Sequence, residues 1–189
     1  MRLLTATLLL VLLVPAGAVK AQTKADSISL FFPKVLITDS SNRVLLVYDA
    51  NRKAYEIPSI GTMAGPSSIK DYIQKTAEEI GITYRGFRLG GMFTYIFPDK
   101  YRTFIRPYFV VQSNGYANGT GLADTTCHWF TREEAIALIP YPASALIVRQ
   151  LLEKPAITWG GSFEEYGYTN PVDTSKIVFR QLEHFYPLN

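Results

Sequence analysis

The strongest constraint on the fold is one amphipathic helix pattern set inside a chain that otherwise reads as strands. Ile69, Tyr72, Ile73, Thr76, Ala77 and Ile80 recur at helical spacing and make one apolar face. Ser68, followed three residues later by Asp71, suits an N-terminal capping box, and Gly81 suits a C-terminal cap. Runs rich in β-branched and aromatic residues flank this helix, at 30–38, 43–48, 54–57, 84–96, 101–113 and 127–130. Asp39-Ser40-Ser41-Asn42 separates the first two as a hairpin turn. Gly90-Gly91 marks a bulge or a close strand approach rather than a phosphate loop, because no helix pattern follows it directly. Thr131 to Glu134 is a second capping box, opening a short helix through Leu138, and a further helix is expected at 143–153, ended by Pro155. Two more strands, near 157–167 and 176–186, are joined by a polar turn at Asn170-Pro171-Val172-Asp173.

The 189 residues allow one domain with a real core. The N-terminus is a separate matter. Met1-Arg2 is followed by an apolar run from Leu3 to Val14, then Pro15 to Ala18, then Val19-Lys20-Ala21 in a small-x-small cleavage pattern. This is the layout of a secretory signal peptide, too short for a comfortable transmembrane span of about 20 residues. The expected division is a signal peptide over 1–21, a main domain over 22–155 and a C-terminal extension over 156–189. The expected destination is export, periplasmic or extracellular, with no stable membrane insertion after cleavage near Ala21.

Cleavage removes Arg2 and Lys20 and no acid, so 19 basic against 16 acidic residues becomes 17 against 16. With that balance and no basic patch interleaved with aromatics, nucleic acid is not an expected partner. The chain has one Cys and two His, which excludes a disulfide scaffold and any Cys-rich metal site. Cys127 reads as a small buried hydrophobe, and adjacent His128 points to the opposite face of a strand. Any metal site must therefore be built from carboxylates. Asp71, Lys75, Glu78 and Glu79 share the exposed face of the helix, within about 100° of one another. Glu78 and Glu79 can hold a hard divalent cation through oxygen. Lys75, one turn earlier, can pair with either and would repel such an ion. On these residues alone, a solvated charged face competes with a metal site.

Strand, loop and helix ending in Ala77-Glu78-Glu79-Ile80-Gly81-Ile82 resemble the Nudix hydrolase superfamily, whose signature is G-x5-E-x7-R-E-U-x-E-E-x-G-U with U a bulky aliphatic. The register fits without gaps. Pro58 falls where the family has Pro before its Gly pair, and Gly65 falls on a frequent Gly before the first signature Glu. Glu78, Glu79, Gly81 and Ile82 match. His128 to Ala135 is similar to the family's late element, a Trp followed by a helix. The resemblance covers about residues 30–154 and implies a Nudix-like α/β/α sandwich with a mixed sheet, to which the C-terminal residues add a β-hairpin extension. The departures are equally specific. Ile60 stands for the signature Gly, Pro66 for the first Glu, Gln74 for the Arg, Lys75 for the leading Glu of the core and Thr76 for the aliphatic. In the family the core glutamates hold Mg2+ or Mn2+, which neutralises a diphosphate and activates water. A site with an ammonium in place of one ligand is expected to bind such ions poorly.

Three functions follow from the resemblance and its departures. One is a degenerate Nudix domain that binds a nucleotide-like small molecule or a partner, with no cofactor and with Lys75 and Trp129 as contact residues. The alternative is an active hydrolase that cleaves a nucleoside diphosphate linked to another group. Glu78, Glu79 and the replacement carboxylate Asp71 would then hold Mg2+ or Mn2+, and Asp124 would serve as base beside catalytic Glu78 and Glu79. The third is an interaction module using the aromatic C-terminal extension, which holds Trp159, Phe163, Tyr166, Tyr168, Phe179, Phe185 and Tyr186. The bland reading of that extension is a hairpin covering an apolar surface.

Overall fold

The computed structural model describes residues 28–61, 63, 68–100, 102–119 and 121–189. The signal-like segment 1–21 and the loop positions Gly65 and Pro66 lie outside them. The chain runs β1 (Ile28–Phe31), β2 (Lys34–Thr38), β3 (Val44–Asp49), β4 (Ala54–Glu56), α1 (Ile69–Ile80), β5 (Ile82–Phe97), β6 (Arg102–Tyr116), β7 (Cys127–Phe130), α2 (Arg132–Leu138), α3 (Pro142–Glu153), β8 (Trp159–Tyr166) and β9 (Val178–Pro187). One mixed sheet holds the nine strands of the described residues in the order β4-β3-β2-β6-β5-β8-β9, with β1 beside β6 and β7 beside β3.

The first expected strand is split in two. Pro33 has no N–H to give the ladder. β1 pairs in parallel with the start of β6, and β2 resumes in parallel with Tyr108 to Gln112. The freed Pro33 carbonyl accepts the hydroxyls of Tyr72 and Ser59, both at 3.0 Å, and so ties α1 to the sheet.

Period-two alternation along the central strands divides the core into two layers. Val35, Ile37, Leu45, Phe109 and Val111 face α1, which buries Tyr72, Ile73, Thr76, Ala77 and Ile80 against them. Leu36, Val44, Leu46, Tyr95 and Tyr108 face α2 and α3, where Ala135, Ala143, Ile147 and Leu151 close the other layer. The result is the expected α/β/α sandwich.

Both capping boxes form. The Ser68 hydroxyl accepts from Asp71 N–H at 3.1 Å while the Asp71 carboxylate accepts from Ser68 N–H at 3.2 Å. Thr131 and Glu134 do the same for α2. Gly81 ends α1 with φ +81°, and a Cβ there would lie 2.7 Å from Ala123 backbone nitrogen, so both conformation and space require glycine. The chain then enters β5 at Ile82, which pairs with Tyr116, so this hairpin runs further at its open end than its β-type composition suggests. A register shift lies between Leu89 and Gly91, where the sequence places a bulge or a close strand approach.

The segment after Pro155 extends the sheet. β8 pairs in parallel with β5 and carries β9 in antiparallel on its outer edge. Trp159, Phe163 and Ile177 are buried in the α3-side layer. Among the described residues no helix is long and apolar enough to cross a membrane.

Candidate functional site

The exposed face of α1 carries the residues that the sequence singles out. The buried stripe turns Asp71, Gln74, Lys75, Glu78 and Glu79 outward, and all five are exposed. Their partners differ. The Asp71 carboxylate caps its own helix, taking the Ser68 hydroxyl at 2.8 Å as well as its amide. Those two hydrogen bonds hold its carboxyl below the ordinary aspartate value. The Gln74 amide donates to Glu78 Oε1 at 2.8 Å, and the Tyr84 hydroxyl donates to Gln74 Oε1 at 3.2 Å. Lys75 makes no ion pair among the described residues.

Asp124 lies in the loop that docks on the end of α1, where Ala123 N–H donates to the Ile80 carbonyl at 2.9 Å. Its Oδ1 accepts the Thr126 amide at 2.8 Å and hydroxyl at 2.7 Å. Burial alone would raise the Asp124 carboxyl, but these bonds outweigh it and hold the group below its ordinary value. A general base near neutrality needs the opposite shift.

Solved structures share this architecture. The chain is similar to a mutator MutT protein from Bacillus halodurans, with TM-score 0.62 and 19% identity over 81% of this chain and 97% of that one. It is similar to the E. coli ORF135 protein at TM-score 0.54 and 14% identity, over 69% and 93%. It is also similar to an Ap4A hydrolase from C. elegans at TM-score 0.51 and 17% identity, over 66% and 96%. The fold is the Nudix fold. No protein-family profile and no curated protein sequence matches the chain, and at these identities the structural likeness speaks for the fold alone.

On this Nudix fold, α1 presents Glu78 and Glu79 beside Lys75 on its exposed face. Among the described residues no three His, Cys, Asp or Glu side chains stand together. The rest of the loop before α1 brings none, because positions 62 and 64–67 are Thr, Ala, Gly, Pro and Ser. One Glu78 oxygen is occupied by an amide, Asp71 is committed to its cap, and Lys75 adds a positive charge.

Trp129 belongs to the layer on the α1 side of the sheet, partly buried. Its indole Nε1 is buried without a hydrogen-bond partner among the described residues, and the Arg43 guanidinium lies 5.7 Å from its ring. It lines an open groove of about 590 Å³ with Arg43, Arg85 and Gln112; Lys75 is not part of that lining. Cys127 is buried and His128 is exposed on the opposite face. Burial pushes the Cys127 thiol up to about 12, which makes it a poor nucleophile.

Sequence reasoning missed a second group on the far face of the sheet. Lys34 is buried and gives its ammonium to Glu56 at 2.8 Å, and Arg52 reaches the same carboxylate at 2.5 Å. Burial would raise Glu56, yet these two cations bring it down to about 2. Arg106 lies beside this cluster, 4.0 Å over the Tyr95 ring. The one available signal was the spacing of Arg102, Phe104 and Arg106, which alternate on one face of β6.

Proposed function

We propose that this chain is an exported Nudix-fold protein whose metal-dependent hydrolysis is weakened or lost, and which binds a nucleotide-like ligand or a partner. The observation that carries the reading is the state of α1. Where the signature has Arg and Glu, the chain has Gln74 and Lys75, and the Gln74 amide takes a Glu78 oxygen that a metal would need. A Lys ammonium among these carboxylates opposes a cation by charge and supplies no lone pair. The leader-like Leu3–Val14 run supports export. Outside the cytosol, nucleotide derivatives are scarce, which favours altered chemistry.

Calorimetric titration of the mature chain with Mg2+ and Mn2+, beside a turnover assay against nucleoside diphosphate derivatives, tests the reading. The expected result is no saturable metal binding below millimolar concentration and no turnover, with Lys75→Glu raising metal affinity. Tight binding abolished by Glu79→Gln, or metal-dependent turnover, would overturn it in favour of an active hydrolase.

A further inference from the structure

On the α3 side of the sheet, under the loop that joins β8 to β9, lies a cavity of about 230 Å³. Five cationic side chains line it: Lys34, Arg52, Lys100, Arg102 and Arg106. Among the described residues Glu56 is the single acid in the lining, and it is already shared by Lys34 and Arg52. Lys100, Arg102 and Arg106 have no carboxylate partner within ion-pair distance among the described residues. For Lys100 and Arg106 the contacts are aromatic instead. Lys100 Nζ sits 4.7 Å from the Tyr168 ring centre, and the Arg106 guanidinium is ringed by Tyr95, Phe32, Phe97 and Phe104 at 4.0 to 5.7 Å.

Two further observations show that the excess charge lacks a counterpart. Arg106 Nε is buried with no acceptor among the described residues. A buried charged donor left unmatched is costly, so this position favours an acceptor from outside the chain. Glu165 interacts with Arg106 electrostatically but makes no hydrogen bond or ion pair with it among the described residues. Its Oε2 takes the Tyr168 hydroxyl at 2.6 Å, its Oε1 is buried without a hydrogen-bond partner among the described residues, and burial pushes its carboxyl upward. The second observation is the start of α3. Tyr141 is its N-cap and makes no side-chain capping bond, and no acid stands in the first turn. Tyr141 and Ser144 both line the cavity, so the positive end of a 12-residue helix opens beside the cations.

We propose that this cavity binds a small molecule bearing a terminal phosphate or carboxylate, with the oxyanion between Arg106 and the start of α3 and the rest against the Phe97, Phe104 and Tyr168 rings. The volume lies below the roughly 300 Å³ at which pockets for larger ligands begin, so the ligand is compact. The inference rests on the ligand-binding part of the function proposed above and needs no metal. Tyr168 and Val172, from the segment after Pro155, form one wall. That gives the C-terminal extension a part in the site.

The test is calorimetric titration of the mature chain, in EDTA, with inorganic phosphate, phenyl phosphate and benzoate. Saturable binding of at least one is expected, weakened about tenfold or more by Arg106→Gln. It should be unchanged by Arg149→Gln, an exposed residue of α3 outside the cavity. The phosphate and benzoate arms tell the two anions apart. If Arg106→Gln does not fold, the double change Lys100→Gln and Arg102→Gln at the rim serves instead, and should lower affinity and flatten its dependence on salt. No saturable binding of any of the three by folded protein, or binding that both sets of changes leave untouched, would overturn the proposal. The absence of metal separates this failure from failure at α1, which the Mg2+ titration reads.

Discussion

Glu56 has two cationic partners and a buried position, and the balance between them sets its response to acid. Its carboxyl is held at about 2 against an ordinary value of 4.5. A folded value below the unfolded one contributes stability that is fully present above about pH 4.5 and is lost as pH falls towards 2. Lys34 titrates against this gain, since burial is its largest influence and holds its ammonium below the usual lysine value. The pair therefore contributes less than the Glu56 shift alone implies. Glu56→Gln leaves Lys34 buried without a carboxylate. It should cost on the order of 3 kcal/mol at pH 7 and flatten the acid-side loss between pH 4.5 and 2. Urea denaturation at both ends of that range measures it, and an unchanged acid slope would count against the assignment. Asp71 shows the opposite case: exposed, bonded among the described residues to Ser68 alone, and committed to starting a helix.

At the scale of elements, β8 and β9 decide whether the sheet has a bare edge. Trp159, Phe163 and Ile177 are between 0% and 6% exposed. Burying each is worth roughly 1.5–3 kcal/mol, and together they approach the 5–15 kcal/mol that holds a typical domain. Removal of residues 156–189 also uncovers β5 along Gly91 to Ile96. The truncated chain is expected to be insoluble or aggregated, as judged by sedimentation and circular dichroism; a soluble, cooperatively folding product would refute this. These strands were legible from their aromatic content and the turn at Asn170-Pro171. Their parallel addition to β5 was not, because no local signal in either strand names its partner. The same limit hid the charged cavity. Alternation along β6 places Arg102, Phe104 and Arg106 together, but what covers that face comes from α3 and from residues beyond 165, far along the chain. The α1 region was legible because its cap, apolar stripe and charged face all lie within 14 residues, from Ser68 to Gly81, and are fixed by helical geometry alone. What Gln74 does was not legible there, since its bonds to Glu78 and Tyr84 depend on rotamers and on where β5 begins.

At the scale of the whole molecule, the sheet separates two chemistries. The α1 face carries Lys75, Glu78 and Glu79, and the α3 face carries Lys34, Glu56 and Arg106. No hydrogen bond or ion pair among the described residues joins a side chain of one set to a side chain of the other. Lys75→Glu and Arg106→Gln should therefore act independently, their effects on unfolding free energy adding within about 0.5 kcal/mol. A larger discrepancy in a urea double-mutant cycle would reveal a path through the sheet. Where Pro33 breaks the first strand, its carbonyl holds Tyr72 and Ser59 on one side while Lys34, the next residue, enters the cavity on the other. Descent with modification can therefore rewrite one surface while the other stays under selection, because even Pro33 and Lys34, adjacent in sequence, serve opposite faces.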